Sequence, residues 1–212
     1  MSWITTYSGA QFDFAAPCLE DIHIQDIAHA LSRICRFTGH TRRFYSVAQH
    51  SVLVSRIVPS EHALAGLIHD AHEAYVGDVA TPLKDHLLGY REVEARAWQA
   101  VATRLGVDPA LPASIKQADI ILLATEQRDL LPRDGRVWPV LDNVVPLFDR
   151  ITPLSPEEAE VLFLARYRES TSQARGAASG DEPSAGRVLV PRFSWRRLRR
   201  VFRALFVEPG LP

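Results

Sequence analysis

The chain has 212 residues, 47% hydrophobic and 23% charged, which is typical of a soluble globular protein rather than of a disordered or fibrous one. Its net charge of −1 hides an asymmetry. Residues 187–212 carry seven arginines and one acid, a net charge of +6, whereas the remaining 17 basic and 24 acidic residues give −7. Because we find no signal-peptide pattern, no apolar run of membrane-spanning length and no disulfide framework, we expect a cytoplasmic protein in which Cys18 and Cys35 are free thiols.

The elements follow one another with clear start and stop signals. Residues 3–14 alternate in polarity around Ser8-Gly9, which predicts a small hairpin, and helical periodicity dominates afterwards. The predicted elements after the hairpin are a helix capped by Asp26 that ends near Ile34, a helix opened by a Ser46-x-x-Gln49 capping box that ends near Val58, a helix from Pro59-Ser60 to about Gly77, a loop at Thr81-Pro82, a helix over 90–105, a helix from Ala113 to about Leu130, and a helix opened by Ser155-Pro156-x-Glu158 that ends near Ser170.

The chain divides into a body and a tail. Residues 1–170 are predicted to form one all-α helical bundle with the short N-terminal hairpin. Residues 171–186 lack large apolar side chains and are predicted to be a flexible linker. Residues 187–212 form a basic amphipathic pattern that could contact an anionic membrane, nucleic acid or an acidic partner, or could dock on the acidic body of this protein.

The chemistry of the body centres on the string His69-Asp70-Ala71-His72-Glu73. Glu73 follows His69 by four residues and Asp70 by three, so on a helix these three side chains lie on adjoining faces of one turn. His72 is predicted to point away from that face and to be exposed. An imidazole and two carboxylates are therefore expected beside an apolar stripe that faces the core.

Two further polar residues lie in apolar surroundings. The helical neighbours of His50 are all apolar, so it is either a core histidine bonded to a carbonyl or a ligand. Asp119 is likewise surrounded by Ile115, Leu122 and Leu123, where an unpaired carboxylate is costly. It either pairs with Lys116 at the rim of the bundle or meets a metal ion.

Taken together, the three helical segments offer two imidazoles and two carboxylates. Helix bundles commonly build metal sites from inward side chains on facing helices. A mixed set of nitrogen and oxygen donors suits Mn, Fe, Co, Zn or Ni better than Ca, with Mg as a further alternative. The sequence therefore predicts one divalent metal ion held by His50, His69, Asp70 and Asp119.

The segments VAQHSVLV, LIHDAHEAYVGDVATPLK and SIKQADIILLATE carry a family resemblance. They resemble the HD-domain superfamily of metal-dependent phosphohydrolases and, more closely, bacterial 5'-deoxynucleotidases and phage dATP triphosphohydrolases. The resemblance covers about residues 20–130 and implies an all-helical HD-domain bundle around one divalent metal. It places the metal ligands on the same four residues and an acidic catalytic pair near the reacting phosphate on Glu73 and Asp78.

The resemblance also implies substrate-binding residues. Lys84 and Lys116 fall on basic positions near the phosphate pocket, although Lys84 could equally be a solvated loop lysine. Arg36 and Phe37 fall where the nucleotidases place an arginine and a tryptophan against the sugar. Phe37 thus replaces the aromatic that is associated with rejecting a 2'-hydroxyl. Glu73 could instead support a ligand histidine from outside the ligand set.

The implied function is metal-dependent hydrolysis of phosphate from (deoxy)nucleotides, with a water acidified by the metal as nucleophile. The substrate would be a monophosphate, as for a 5'-deoxynucleotidase, or a dNTP, as for a triphosphohydrolase, in a protein that we expect to be a homo-oligomer. One alternative is hydrolysis of an alarmone or a cyclic nucleotide. Another is a catalytically inert HD-fold nucleotide-binding or scaffold protein that is recruited through its basic tail.

Overall fold

In the computed structural model, which describes residues 1–133, 135–136 and 138–178, the chain is mostly helical with one short two-stranded sheet. The strands are β1 (Trp3–Thr5) and β2 (Gln11–Asp13), and the α-helices are α1 (Ile24–Arg33), α2 (Val47–Ile57), α3 (Ala63–Ile68), α4 (Glu73–Val76), α5 (Thr81–Lys84), α6 (Tyr90–Leu105), α7 (Ala113–Leu130) and α8 (Pro156–Ala178). Short 3-10 turns occur at Leu19–Asp21, Arg36–Gly39, Ser60–His62 and Pro139–Leu141. The predicted predominance of helix is confirmed, as is the hairpin.

The hairpin is antiparallel and is tied to α1 by a buried carboxylate. Asp26 accepts hydrogen bonds from Thr6 Oγ1 at 2.7 Å and from the backbone N–H of Ser8 at 2.8 Å. The prediction that Asp26 caps α1 is wrong, because the helix already begins at Ile24 and the Asp26 side chain points to the hairpin. Its carboxylate therefore anchors the N-terminus to the bundle instead of closing the first turn.

Helix α2 is the central element of the bundle. Every residue from Val47 to Ser55 is buried, because α1, α3, α7 and α8 all pack against it. Hydrophobic side chains of α2 form one cluster with those of α1, α3, α6 and α8, which includes Ile27, Leu67 and Phe163. A second cluster lies towards α7. A polar side chain on α2 is consequently surrounded by protein and needs a partner from a neighbouring helix.

The helix predicted from Pro59 to Gly77 is interrupted. Residues 69–72 form a turn between α3 and α4, in which the backbone N–H of Ala71 bonds to the oxygen of Ile68 and that of Glu73 bonds to the oxygen of Asp70. These bonds join residues three apart, as in a 3-10 helix, so the chain is wound more tightly here than in an α-helix. The predicted extent of this helical segment is thus confirmed. The prediction that it is one continuous α-helix is wrong.

Two further helix boundaries differ from the predictions. The loop predicted at Thr81-Pro82 is the first turn of α5, since proline fits the start of a helix. Helix α8 continues to Ala178 instead of ending near Ser170, although its predicted start is confirmed by reciprocal bonds between Ser155 and Glu158. Residues 179–212, which include the second half of the predicted linker and the whole basic tail, lie outside the described residues. Among the described helices, none is both long and apolar enough to cross a membrane.

Candidate metal centre

Three helical segments bring polar side chains to one point inside the bundle. His50 projects from α2, His69 and Asp70 lie in the turn after α3, and Asp119 projects from α7. A ligand atom from each of His50, His69 and Asp119 lies within 4.8 Å of the other two. These three residues form a group that could hold a metal ion.

The close approach of α3 to α2 depends on Gly66. A side chain at this position would meet the Cα atom of Ser55 on α2 at 3.1 Å, which is tighter than ordinary contacts. The backbone oxygen of Gly66 also lies 2.9 Å from His69 Nδ1. Because this oxygen can only accept, it fixes the proton of a neutral His69 on Nδ1 and leaves the lone pair on Nε2.

The donor atoms fit a metal ion in chemistry and in spacing. His50 Nε2 and His69 Nε2 are both buried without a hydrogen-bond partner. His50 Nε2 lies 3.4 Å from Asp119 Oδ1 and 3.6 Å from Asp70 Oδ2, and His69 Nε2 lies 3.2 Å from Asp70 Oδ2. Ligand atoms about 2.1 Å from a tetrahedral metal are roughly 3.4 Å apart, so each of these pairs has a spacing that suits two ligands of one ion. Among the described residues, the group whose atoms all lie close enough together is His50, His69 and Asp119, and it does not include the predicted fourth ligand, Asp70.

The charges of the site also favour a cation. Burial opposes ionisation of Asp119, but the nearby imidazole of His50 outweighs burial and lowers the pKa of Asp119 to about 2. Burial and Arg36 disfavour a charged His50, yet Glu126 and Asp119 together raise the pKa of His50 to about 9. Nearby carboxylates thus stabilise positive charge at the position of the His50 imidazole.

The predicted acidic pair lies beside the ligand group. Glu73 is buried at the start of α4, and its Oε2 atom has no hydrogen-bond partner. Burial raises the pKa of Glu73 well above its ordinary value, and the charges of Asp70 and Asp78 raise it further. Asp78 is half-buried, and burial likewise raises its pKa. A carboxyl group with a raised pKa and an oxygen without a hydrogen-bond partner is suited to accept or donate a proton.

The prediction that His72 is exposed is wrong. Its ring is buried in a T-shaped contact with Trp98 on α6, and its Nε2 atom lies 3.6 Å from Glu94 Oε1. The same carboxylate forms an ion pair with Lys84, whose side chain is only 14% exposed. Helix α6 therefore covers this side of the turn, and Lys84 is a partly buried, paired lysine and not a solvated one.

The remaining predicted residues have different environments. Arg36 is little exposed and lies 3.7 Å from Asp70 Oδ2 and 3.2 Å from Glu126 Oε2. Lys116 is 72% exposed and lies 3.8 Å from Asp119 Oδ2. Of the predicted basic residues, only Arg36 is thus buried against the candidate ligands.

Phe37 has an unusual backbone next to this arginine. Phe37 and Thr38 have φ values of 54° and 52°, a left-handed conformation that costs roughly 1–3 kcal/mol for a residue other than glycine. The Phe37 ring is half-buried, and its centroid lies 6.5 Å from that of Trp138. Two aromatic side chains from distant segments are therefore close to the residue that contacts Asp70.

Two acidic residues of this region carry no role in the sequence prediction. Glu126 is fully buried on α7, with Oε1 2.7 Å from His50 Nδ1. It follows Asp119 by seven residues, or two helical turns. This spacing puts both side chains on the same face of α7 and could have indicated from the sequence that Glu126 lies near the site. The position of Glu94 could not be predicted from the sequence in this way, because its contacts with Lys84 and His72 depend on how α6 packs.

The protein is a mostly helical bundle with a buried group of imidazoles and carboxylates. Comparison with known proteins shows the family to which it belongs. No family model matches the chain. The uncharacterized protein YfdR of Escherichia coli (strain K12) is 44% identical over 171 residues, which cover 80% of this chain and 96% of YfdR. The chain therefore belongs to the family of YfdR.

Two other relatives match shorter segments. The uncharacterized protein RCAP_rcc00048 of Rhodobacter capsulatus is 39% identical over 127 residues, which cover 55% of this chain and 65% of that protein. A UPF0758 protein of Xanthomonas oryzae pv. oryzae is 35% identical over 85 residues, which cover 38% of this chain and 37% of that protein. The names of these relatives assign no activity.

Proposed function

We propose that this chain is a metal-dependent phosphohydrolase of the HD type that releases phosphate from nucleotides. The observation that carries the proposal is the meeting of His50, His69 and Asp119, whose ligand atoms lie within 4.8 Å of one another, with both imidazole Nε2 atoms buried and unpartnered. The order of these residues and the GDVATPLK string that follows His69 support the HD assignment by resemblance.

The residues around the ligand group have complementary tasks in this proposal. A divalent metal in such a site supplies an acidified water as nucleophile near neutral pH. Glu73 orients that water or takes its proton through the free Oε2 atom, and Asp78 holds the water or protonates the leaving oxygen. Lys84 and Arg36 balance the negative charge that builds on the phosphate oxygens.

The aromatic pair supports a nucleotide as the substrate. Phe37 and Trp138 present two half-buried rings, and Phe37 directly follows the arginine that contacts Asp70. Aromatic rings commonly stack on nucleobases, whereas a simple phosphate ester has no group that would use them. We therefore propose a nucleoside phosphate, with the deoxy forms of mono- and triphosphates as the first candidates.

A substrate panel tests this proposal. The purified full-length chain is incubated with each dNMP, dNTP and ribonucleotide in the presence of Mn²⁺, Co²⁺ or Zn²⁺, and products are separated by chromatography. We expect phosphate or triphosphate to be released from at least one nucleotide, and no release by the Asp119→Ala variant. Absence of turnover with every nucleotide and metal would contradict the proposal and favour an inert nucleotide-binding protein.

A further inference from the structure

Glu126 is a fully buried carboxylate to which the proposed function gives no task. It projects from α7 between the side chains of His50 and Arg36. Its Oε1 atom lies 2.7 Å from His50 Nδ1, and its Oε2 atom lies 3.2 Å from Arg36 Nη2. Burying a carboxylate costs free energy unless both of its oxygens have partners. The contacts with His50 and Arg36 supply those partners and indicate a specific role for Glu126.

The contact with His50 controls which ring nitrogen is free. An ionised carboxylate can only accept hydrogen bonds, so Glu126 holds the proton of a neutral imidazole on Nδ1. The lone pair is then on Nε2, the buried and unpartnered atom that lies 3.4 Å from Asp119 Oδ1. Only this tautomer can bind a metal at the candidate centre.

Arg36 contacts the second oxygen of Glu126 and is its counter-ion. The Arg36 side chain is 11% exposed, and its guanidinium lies between Glu126 and Asp70, with Nη1 3.7 Å from Asp70 Oδ2. The guanidinium therefore acts on His50 through Glu126 and need not touch the substrate to do so.

We propose that Glu126 is a positioning residue that sets the metal-binding tautomer of His50, and that Arg36 serves it as counter-ion. The inference rests on the metal-binding part of the proposed function and not on hydrolysis. It also adds to the role that resemblance assigns to Arg36, since a residue that contacts only the substrate would leave metal affinity unchanged.

The Glu126→Gln substitution tests the inference with little change of shape. Arg36 only donates hydrogen bonds, so the glutamine oxygen should turn to the guanidinium and its NH₂ group to His50 Nδ1. This orientation selects the tautomer with the proton on Nε2. We expect the metal Kd of the full-length chain for Mn²⁺ and Zn²⁺, measured without substrate by competition with a chromophoric chelator, to rise about 10- to 100-fold.

Two companion variants separate positioning from simple destabilisation. Asp129→Asn is the matched control, because Asp129 is also a buried, ion-paired carboxylate on α7 but contacts none of the candidate ligands. It should leave metal Kd unchanged. Adding Arg36→Met to Glu126→Gln frees the amide to rotate, so its oxygen can accept from His50 Nδ1. The double variant should then recover to within about tenfold of the wild-type affinity.

The outcomes distinguish this inference from the proposed function. Wild-type affinity in Glu126→Gln, or a double variant that binds no more tightly than Glu126→Gln, would overturn the inference and leave the metal site intact. If Glu126→Gln fails to fold, the double variant still decides, because it removes both buried charges together. Its binding within tenfold of wild type would then support the inference, and weaker binding would overturn it. A wild-type chain that binds no divalent metal would overturn the inference together with the proposed function.

Discussion

The side-chain oxygen of Gln49 accepts a hydrogen bond from the backbone N–H of Leu154 at 2.9 Å. The amide nitrogen of the same side chain donates to the backbone oxygen of Thr152, also at 2.9 Å. Gln49 is fully buried and directly precedes His50, so these bonds tie the segment before α8 to the turn of α2 that carries a candidate ligand.

We expect Gln49→Glu to destabilise the fold although it is nearly isosteric. Glutamate keeps an acceptor for Leu154 but places a second acceptor against the oxygen of Thr152. The free energy of unfolding in urea should fall by about 1–3 kcal/mol, the usual cost of an unsatisfied buried group. Gln99→Glu on the exposed face of α6 is the control and should change the free energy of unfolding by less than about 0.5 kcal/mol. Equal stability of the two variants would contradict the assigned role.

We expect Glu73→Gln to separate metal binding from turnover. The glutamine keeps the shape of Glu73 but cannot take a proton, so kcat should fall by about 10²- to 10⁴-fold while metal stoichiometry stays at the wild-type value. Metal content and turnover are measured on the same preparation, with Glu92→Gln on the exposed side of α6 as control. A Glu73→Gln variant with normal turnover would remove Glu73 from the reaction.

Lys84→Met should weaken substrate binding without affecting the metal. A charge-assisted hydrogen bond to a phosphate is worth about 1.5–3 kcal/mol, so we expect KM to rise by about 10- to 100-fold. Arg91→Met provides the matched control, because Arg91 forms its ion pair with Asp85 at the surface and should leave KM unchanged. Equal KM values for the two variants would show that Lys84 only holds α5 against Glu94.

The stability of the fold should depend on pH through Asp129. Burial alone would raise the pKa of this carboxyl, but hydrogen bonds from Arg128 and from the N–H of Ile151 outweigh burial and hold the pKa below its ordinary value. Because the folded pKa is the lower one, the carboxylate stabilises the fold above about pH 4, and this contribution disappears as the pH falls through the folded pKa. Urea unfolding should therefore show a deficit of Asp129→Asn at pH 7 that shrinks in acid; a pH-independent deficit would contradict this.

Elements with strong local signals were predictable from the sequence. The bounds of α6 and α7 agree with the predictions, because each has a continuous helical pattern and a clear stop. Gly106, with φ 69°, closes α6 in the left-handed conformation that glycine tolerates. The apolar neighbours of His50 likewise indicated its burial correctly, since they reflect the position of α2 at the centre of the bundle.

Features that depend on packing between distant segments were not predictable. The break at residues 69–72 follows a 3-10 pattern that periodicity does not distinguish from an α-helix. The burial of His72 depends on α6, and the partner of Asp26 is a hairpin some 20 residues earlier in the chain. For Gln49 the sequence suggested only a cap of α2, whereas its side chain bonds to a segment more than 100 residues away.

We propose that His50, His69 and Asp119 hold one divalent metal ion. This proposal is tested most directly by a crystal structure of the full-length chain grown with Mn²⁺, in which anomalous diffraction locates the metal. We predict one strong anomalous peak about 2.0–2.3 Å from His50 Nε2, His69 Nε2 and a carboxylate oxygen of Asp119. A peak elsewhere, or none at this position under saturating Mn²⁺, would contradict the account.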